Sequence, residues 1–237
     1  MSELATQDVG IFRHDIPSGT YHLNRDAALI DLARGERVIH VGCTDWPLTN
    51  RKLDDGTLLH EALLKAAADV RGVDVDEPGI EKLRSRLGGS YTVGDLCTDA
   101  TRAELVRYRP TVILASDVIE HIANPGNFIE GLGSILRDVG RGCRLILSTP
   151  NGLALRSSIY AAFRVEVVHP DHRAVYTPST ITRLLQDYDL EVEAWHFYAI
   201  SSGNGMSRAA IDNVCRAVGR LRPVCCDGMI IVARPSR

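Results

Sequence analysis

The pattern that most constrains this chain is a pair of strand ends. Val38-Ile39-His40-Val41 closes on Gly42-Cys43-Thr44-Asp45, and further on Val70-Arg71-Gly72-Val73 closes on Asp74-Val75-Asp76. Each is a short β-branched run with the look of a buried strand, ending in a small residue and then a carboxylate. A glycine at the first strand end lets the backbone approach a ligand closely. An acid at the end of the next strand can accept two hydrogen bonds from ribose hydroxyls. The pair reads as a nucleotide-binding signature.

The rest of the sequence continues the alternation. Strands are predicted over 37–41, 70–75, 91–93, 111–115, 144–147, 191–198 and 229–233, with helical periodicity between them. Asn24, Asn124-Pro125 and Thr177-Pro178 are helix starts, and Phe128, Ile129, Leu132, Ile135 and Leu136 form one apolar stripe. These elements predict an α/β fold: a doubly wound, seven-stranded Rossmann-like sheet with the last strand antiparallel. One domain is expected over 1–237, with an N-terminal arm at 1–23 and a substrate-side segment at 152–176. Residues 45–56 read as a long loop at a strand's carboxyl end, where extra length serves a site. The stretch 153–168 reads as a lid helix or as the contact of a homodimer.

Composition narrows the partners. The 27 basic and 30 acidic residues are interspersed and leave a net charge of -3, so no basic field advertises nucleic acid. No apolar run approaches the ~18 residues of a membrane span, and the first ten residues lack the plan of a secretory leader. No membrane contact and a cytoplasmic location are the expectations. The six cysteines contain no C-x-x-C pair and read as small buried hydrophobes.

In a doubly wound sheet, ligands bind outside the carboxyl ends of the strands. Four such ends carry polar turns: Gly42 to Asp45, Asp74 to Asp76, Gly94-Asp95, and Ser116 to His121. With Asp117-Val118-Ile119-Glu120-His121 after the fourth strand and Thr149-Pro150-Asn151 after the fifth, the chain resembles the class I S-adenosylmethionine-dependent methyltransferases of the small-molecule type. That resemblance implies S-adenosyl-L-methionine as cofactor. Gly42, Cys43 and Thr44 would line its methionine and ribose end, Asp74 with Val75 would hold the ribose, and Asp95 with Leu96 would frame the adenine. Ser116 and Asp117 would lie beside the sulfonium. The first motif departs from the family: His40 stands where an acid is expected, and Thr44 and Trp46 replace later glycines. The missing glycines also argue against a nicotinamide dehydrogenase, whose G-x-G-x-x-G turn needs them.

Methyl transfer is an in-line displacement that needs alignment and a water-poor site, plus a base when a hydroxyl must lose its proton. His121, His169 and His172 are the candidate bases. The expected acceptor is a hydroxyl or amine of a small polar molecule such as a sugar, a metabolite or a natural-product intermediate, and no metal is assigned. One alternative is a metal-dependent RNA 3'-terminal 2'-O-methyltransferase, whose metal set has the order and approximate spacing of Asp117, Glu120, His121 and His172. That family places Glu where Asp117 stands and carries an aromatic-basic stretch that 173–176 does not match. A second alternative is a non-catalytic cofactor-binding or regulatory protein on the same fold.

Overall fold

The computed structural model describes residues 15–201 and 206–236, so 1–14 of the expected arm and the turn at 202–205 lie outside the described residues. Among the described residues one sheet is built from β1 (Thr20–His22), β2 (Arg37–Val41), β3 (Asp69–Asp74), β4 (Ser90–Val93), β5 (Val112–Ser116), β6 (Arg144–Pro150), β7 (Leu190–Tyr198) and β8 (Gly228–Pro235). Their spatial order is β1-β7-β8-β6-β5-β2-β3-β4. Every pairing is parallel except those of β8, which runs antiparallel to both β6 and β7. This is the doubly wound, Rossmann-like sheet that the alternation predicts, with its last strand antiparallel.

It carries one strand more than the seven read from the sequence. β1 comes from the stretch expected to be an arm and pairs with the outer edge of β7, Thr20 opposite His196. Gly19 permits the approach, because a Cβ there would lie 2.7 Å from both the Phe197 ring and the Trp195 carbonyl oxygen.

Nine helices are described: α1 (Arg25–Ala33), α2 (Thr49–Asp54), α3 (Leu59–Ala66), α4 (Glu77–Leu87), α5 (Asp99–Tyr108), α6 (Pro125–Val139), α7 (Leu155–Ala162), α8 (Pro178–Gln186) and α9 (Met206–Leu221). Alternation along the central strands sorts the core into two layers. Val112 and Leu114 of β5 pack with Leu29 of α1 and Leu63 of α3 on one face. Ile113 and Ala115 pack with Leu105 of α5, Leu132 of α6 and Ile181 of α8 on the other. A strand buried on both faces cannot alternate with polar residues, which is why β5 reads as a continuous apolar run.

Two local features bear on the site. The expected loop 45–56 contains α2, and within the substrate-side segment 152–176 the stretch read as a lid helix or a homodimer contact holds α7. Arg156 fixes α7 in place: it is 6% exposed, ion-paired to Asp212 of α9 and to Asp227 before β8, both at 2.6 Å. Asn151, of the Thr149-Pro150-Asn151 run, also braces this end by donating to the Val224 and Cys226 carbonyls at 2.7 and 2.9 Å.

Candidate active site

A cleft of about 1050 Å³ opens beyond the carboxyl ends of β2, β3, β5 and β6. At its floor is the first turn. Gly42 has φ of +72°, in the left-handed region, and a Cβ there would lie 2.7 Å from Val118 Cγ2. Both the conformation and the close approach therefore require glycine. The Cys43 thiol is buried beneath the turn, in the space that Gly72 leaves open: a Cβ at Gly72 would stand 2.7 Å from the sulfur.

Asp74 organises the second strand end. Its Oδ2 accepts from the Thr44 backbone N–H at 3.0 Å and from Thr44 Oγ1 at 2.9 Å, while its Oδ1 accepts from the Asp76 N–H at 3.0 Å. The carboxylate is thus held by both turns it joins. Val75 is 70% exposed beside it, an apolar face at the cleft wall. Across the first turn, Trp46 is also 70% exposed and lines the rim, and Lys52 of α2 reaches back to pair with Asp45.

The third cluster surrounds Asp117, whose φ of +51° is unusual for a residue other than glycine. Its carboxylate is gripped from three elements. Arg25, in the first turn of α1, pairs with Oδ2. Ser148 of β6 donates to Oδ1 at 2.6 Å and accepts the Asp117 N–H at 3.1 Å, and the buried Tyr198 hydroxyl donates to Oδ1 at 3.3 Å. Burial and the Asp117 charge push the Tyr198 phenol well above its ordinary range, so it remains a donor.

Two further groups are buried at the cleft. His40, the residue standing in place of the expected acid, faces His60 of α3 with Nδ1 atoms 3.1 Å apart and rings stacked at 10°. Burial holds both imidazoles neutral: it lowers His60 to about 4, and it lowers His40 with help from His60 and Arg25. Glu120 is 0% exposed, and among the described residues neither carboxyl oxygen meets a donor in good hydrogen-bond geometry, the Thr149 hydroxyl being a polar neighbour. Burial, reinforced by the Asp117 charge, pushes its carboxyl up to about 8, so it is largely protonated at neutral pH.

At the mouth stand three imidazoles. His121 ends the 3-10 turn Ile119–His121, and His169 and His172 come from the segment after α7. Ring centroids are 4.7 Å apart for His121 and His172, 5.4 Å for His169 and His172, and 5.7 Å for His121 and His169. Burial, followed by the neighbouring His121 and His169, lowers the His172 pKa.

The fold therefore collects Gly42, Cys43, Thr44, Asp74 and Val75 on one side of the cleft, and Ser116, Asp117, His121, His169 and His172 on the other. Asp95 and Leu96 do not line it. Asp95 is exposed at the end of β4, accepting the Cys97 N–H at 2.8 Å, and Leu96 is buried in the core. Sequence reasoning missed Arg25, His60, Ser148 and Tyr198. Only Arg25 left a trace: a cation in the first turn faces the positive end of the helix dipole, an unfavourable place without a local partner.

A doubly wound sheet with an acid at the second strand end and a polar cleft beyond it defines an α/β enzyme of the nucleotide-cofactor class. The sequence matches the family profile described as a methyltransferase domain over residues 22–194, and the chain belongs to that family, the class I S-adenosylmethionine-dependent methyltransferases. It is similar to the mitochondrial ubiquinone biosynthesis O-methyltransferase of Arabidopsis thaliana, 27% identical over 146 residues, which are 60% of this chain and 38% of that protein. Among solved structures it is similar in fold to the magnesium protoporphyrin IX methyltransferase of Synechocystis with bound S-adenosylhomocysteine (TM-score 0.56, 16% identity, 89% of this chain and 82% of that one). It is also similar to the N-methyltransferase NodS of Bradyrhizobium japonicum with the same product (TM-score 0.52, 14% identity, 90% and 86%). The cofactor is S-adenosyl-L-methionine. No helix among the described residues is long and apolar enough to cross a membrane.

Proposed function

We propose that this enzyme transfers the methyl group of S-adenosylmethionine to a hydroxyl or amine of a small polar molecule. The observation that carries this reading is the division of the cleft. One wall offers Gly42, Thr44 and Asp74 to a nucleoside, and the opposite wall offers Asp117 and three imidazoles to a polar acceptor. Its volume of about 1050 Å³ is at the upper end for a small-ligand site, suited to a cofactor with a compact acceptor.

In this reading Gly42, Cys43 and Thr44 bind the methionine and ribose end, Asp74 with Val75 the ribose, and Ser116 and Asp117 flank the sulfonium. Asp95 and Leu96, outside the cleft lining, are given no contact with the cofactor in this reading. The acceptor's lone pair forms a bond to the methyl carbon as the carbon–sulfur bond breaks and its pair stays on sulfur. His172 is suited to take a hydroxyl proton, since burial and its neighbours favour the neutral ring with a free lone pair. His121 and His169 border the same space, whereas Glu120 keeps its own proton near pH 7 and is suited to donate a hydrogen bond. Nothing in the charge balance favours RNA as acceptor: the net charge is -3, and Asp117 is engaged by Arg25.

The experiment is transfer of labelled methyl from S-adenosylmethionine to panels of hydroxyl-bearing and amine-bearing small molecules, with RNA oligonucleotides as a third panel. Incorporation into a small molecule, reduced at least tenfold in His172→Ala, is expected. Label entering only RNA would overturn the acceptor class, and binding of the cofactor without transfer to any panel would favour a regulatory role.

A further inference from the structure

We propose that His121, His169 and His172 form a site for one divalent transition-metal ion of the zinc class, with an open coordination position facing the cleft. The sequence reading assigned no metal in its main form, and its RNA-methyltransferase alternative used a different ligand set, so this goes beyond both; it deepens the methyl-transfer reading on which its chemical role rests.

The geometry is specific. Each of the three side chains offers a nitrogen, and these atoms all lie within 4.8 Å of one another. Zinc–nitrogen bonds of about 2.0–2.1 Å in tetrahedral geometry place ligand nitrogens roughly 3.4 Å apart, so ring rotations closing on the order of 1 Å complete the site. The His121 ring meets His172 at 84° and His169 at 75°. Edge-to-face packing of this kind lets ring edges, where the nitrogens are, converge instead of stacking face on face.

The cluster is tied together by backbone. His172 donates its N–H to the His169 carbonyl at 3.0 Å, and Arg173 donates to the Glu120 carbonyl at 2.7 Å, which fastens the segment bearing two of the rings to the turn bearing the third. No hydrogen bond joins any two of these rings among the described residues, and the three share the cleft wall with Ser116 and Asp117. Imidazole is a ligand that suits zinc, iron, copper and nickel, and three protein ligands with a fourth position open are the arrangement of catalytic rather than structural sites. A carboxylate also stands behind one ring: Asp171 Oδ2 is 3.8 Å from His169 Nδ1. As the chain stands, His169 Nδ1 accepts the Asp171 backbone N–H at 3.3 Å; metal on Nε2 needs the proton on Nδ1, so ion binding exchanges that backbone contact for one from Nδ1–H to the Asp171 carboxylate.

This set differs from the one suggested by sequence order. Asp117 is turned to Arg25 and Ser148, and His169 takes its place in the cluster. With His172 on the ion its lone pair is no longer free to take a proton, and an acceptor hydroxyl on the open position would be acidified by the ion instead. Its proton would pass to solvent, its oxygen would bond to the methyl carbon, and the carbon–sulfur pair would remain on the S-adenosylhomocysteine released.

The test uses the full chain stripped with EDTA, titrated with Zn²⁺ and with Co²⁺ by calorimetry and by the visible absorption of bound cobalt. One ion per chain is expected, with affinity at least tenfold weaker in His169→Ala and in His172→Ala and severalfold weaker in Asp171→Asn. Affinity for S-adenosylhomocysteine, measured in the same samples, reports whether each variant is folded. Absence of stoichiometric ion binding by wild-type protein that binds S-adenosylhomocysteine would overturn the site, as would unchanged affinity in the folded His169→Ala and His172→Ala variants. Ion binding without any binding of S-adenosylhomocysteine would leave the site standing and count against the methyl-transfer reading alone.

Discussion

The guanidinium of Arg25, at the start of α1, is paired with the carboxylate of Asp117, at the end of β5. The pair fastens the helix that precedes the first long strand to the strand end at the middle of the cleft. Arg25 also meets Asp26 at 2.8 Å, so one guanidinium serves two carboxylates. With side chains 23% and 27% exposed, the Arg25–Asp117 contact is partly screened by solvent.

Replacing Arg25 by Met keeps most of the stem and removes the charge. The expected loss is about 1–2 kcal/mol of stability, or roughly 2–8 °C in melting temperature for a chain of this size. Arg25→Lys should recover part of it, because an ammonium restores the charge but not the planar fork. Thermal melts of the three proteins at one pH decide the matter. If Arg25→Met melts with wild type, the pair is a passive surface contact.

Asp74 receives three hydrogen bonds from the two turns it joins, and the ribose role would add two more. Asp74→Ala is expected to weaken S-adenosylhomocysteine binding by roughly 10- to 100-fold, the worth of losing hydrogen bonds to a charged acceptor. Thr44→Val removes the Oγ1 bond and leaves the carboxylate, so its effect should be several times smaller. Calorimetry on both variants separates ribose binding from turn bracing. Equal losses would show that Asp74 matters only through the turn.

Much of this site was legible because it lies where strand pattern and helix starts are unambiguous. The β-branched runs ending at Gly42 and Asp74, and the starts at Asn24, Asn124 and Thr177, fix their elements locally. The Asn24, Asn124 and Thr177 side chains accept from backbone N–H groups three residues on. What was not legible has long-range causes. β1 is three residues long and exists through its pairing with β7. α2 is six residues long with no side-chain cap at Leu48, and Lys52 anchors it to Asp45. A helix within 153–168 was among the readings, but not its anchor: in α7 the buried residue is Arg156, a charge whose partners stand 56 and 71 positions away. His60 was hidden for the converse reason: a buried imidazole among the apolar residues of α3 has no signature until His40 is placed opposite it.

Glu120 should leave a mark on the pH dependence of stability. Its carboxyl is pushed up to about 8 in the folded protein from an ordinary value of 4.5. Between those values the folded chain keeps a proton that the unfolded chain has released, so stability falls as pH rises through the window. Glu120→Gln removes the titration while preserving the shape of a protonated carboxyl. The variant should therefore gain on wild type progressively from about pH 5 to pH 8, seen as a flatter plot of melting temperature against pH. Parallel plots would mean that the carboxyl ionises freely in the folded protein.

The buried His40–His60 pair predicts a loss of stability on the acid side. Burial lowers His60 from 6.5 to about 4, and it lowers His40 as well. One Nδ1 must donate and the other accept across the 3.1 Å contact, which two protonated rings cannot do. Above pH 6.5 both states hold neutral imidazole and the contribution is present in full. As pH falls toward 4 the unfolded chain takes up a proton that the folded chain resists, and about 3 kcal/mol is lost from His60 alone. His60→Gln cannot titrate and can still hydrogen-bond to His40. Its melting temperature should start lower than wild type at pH 7 and decline less steeply between pH 6.5 and 4. A decline as steep as that of wild type would place the acid sensitivity elsewhere and leave the pair a packing contact beneath the Gly42 turn.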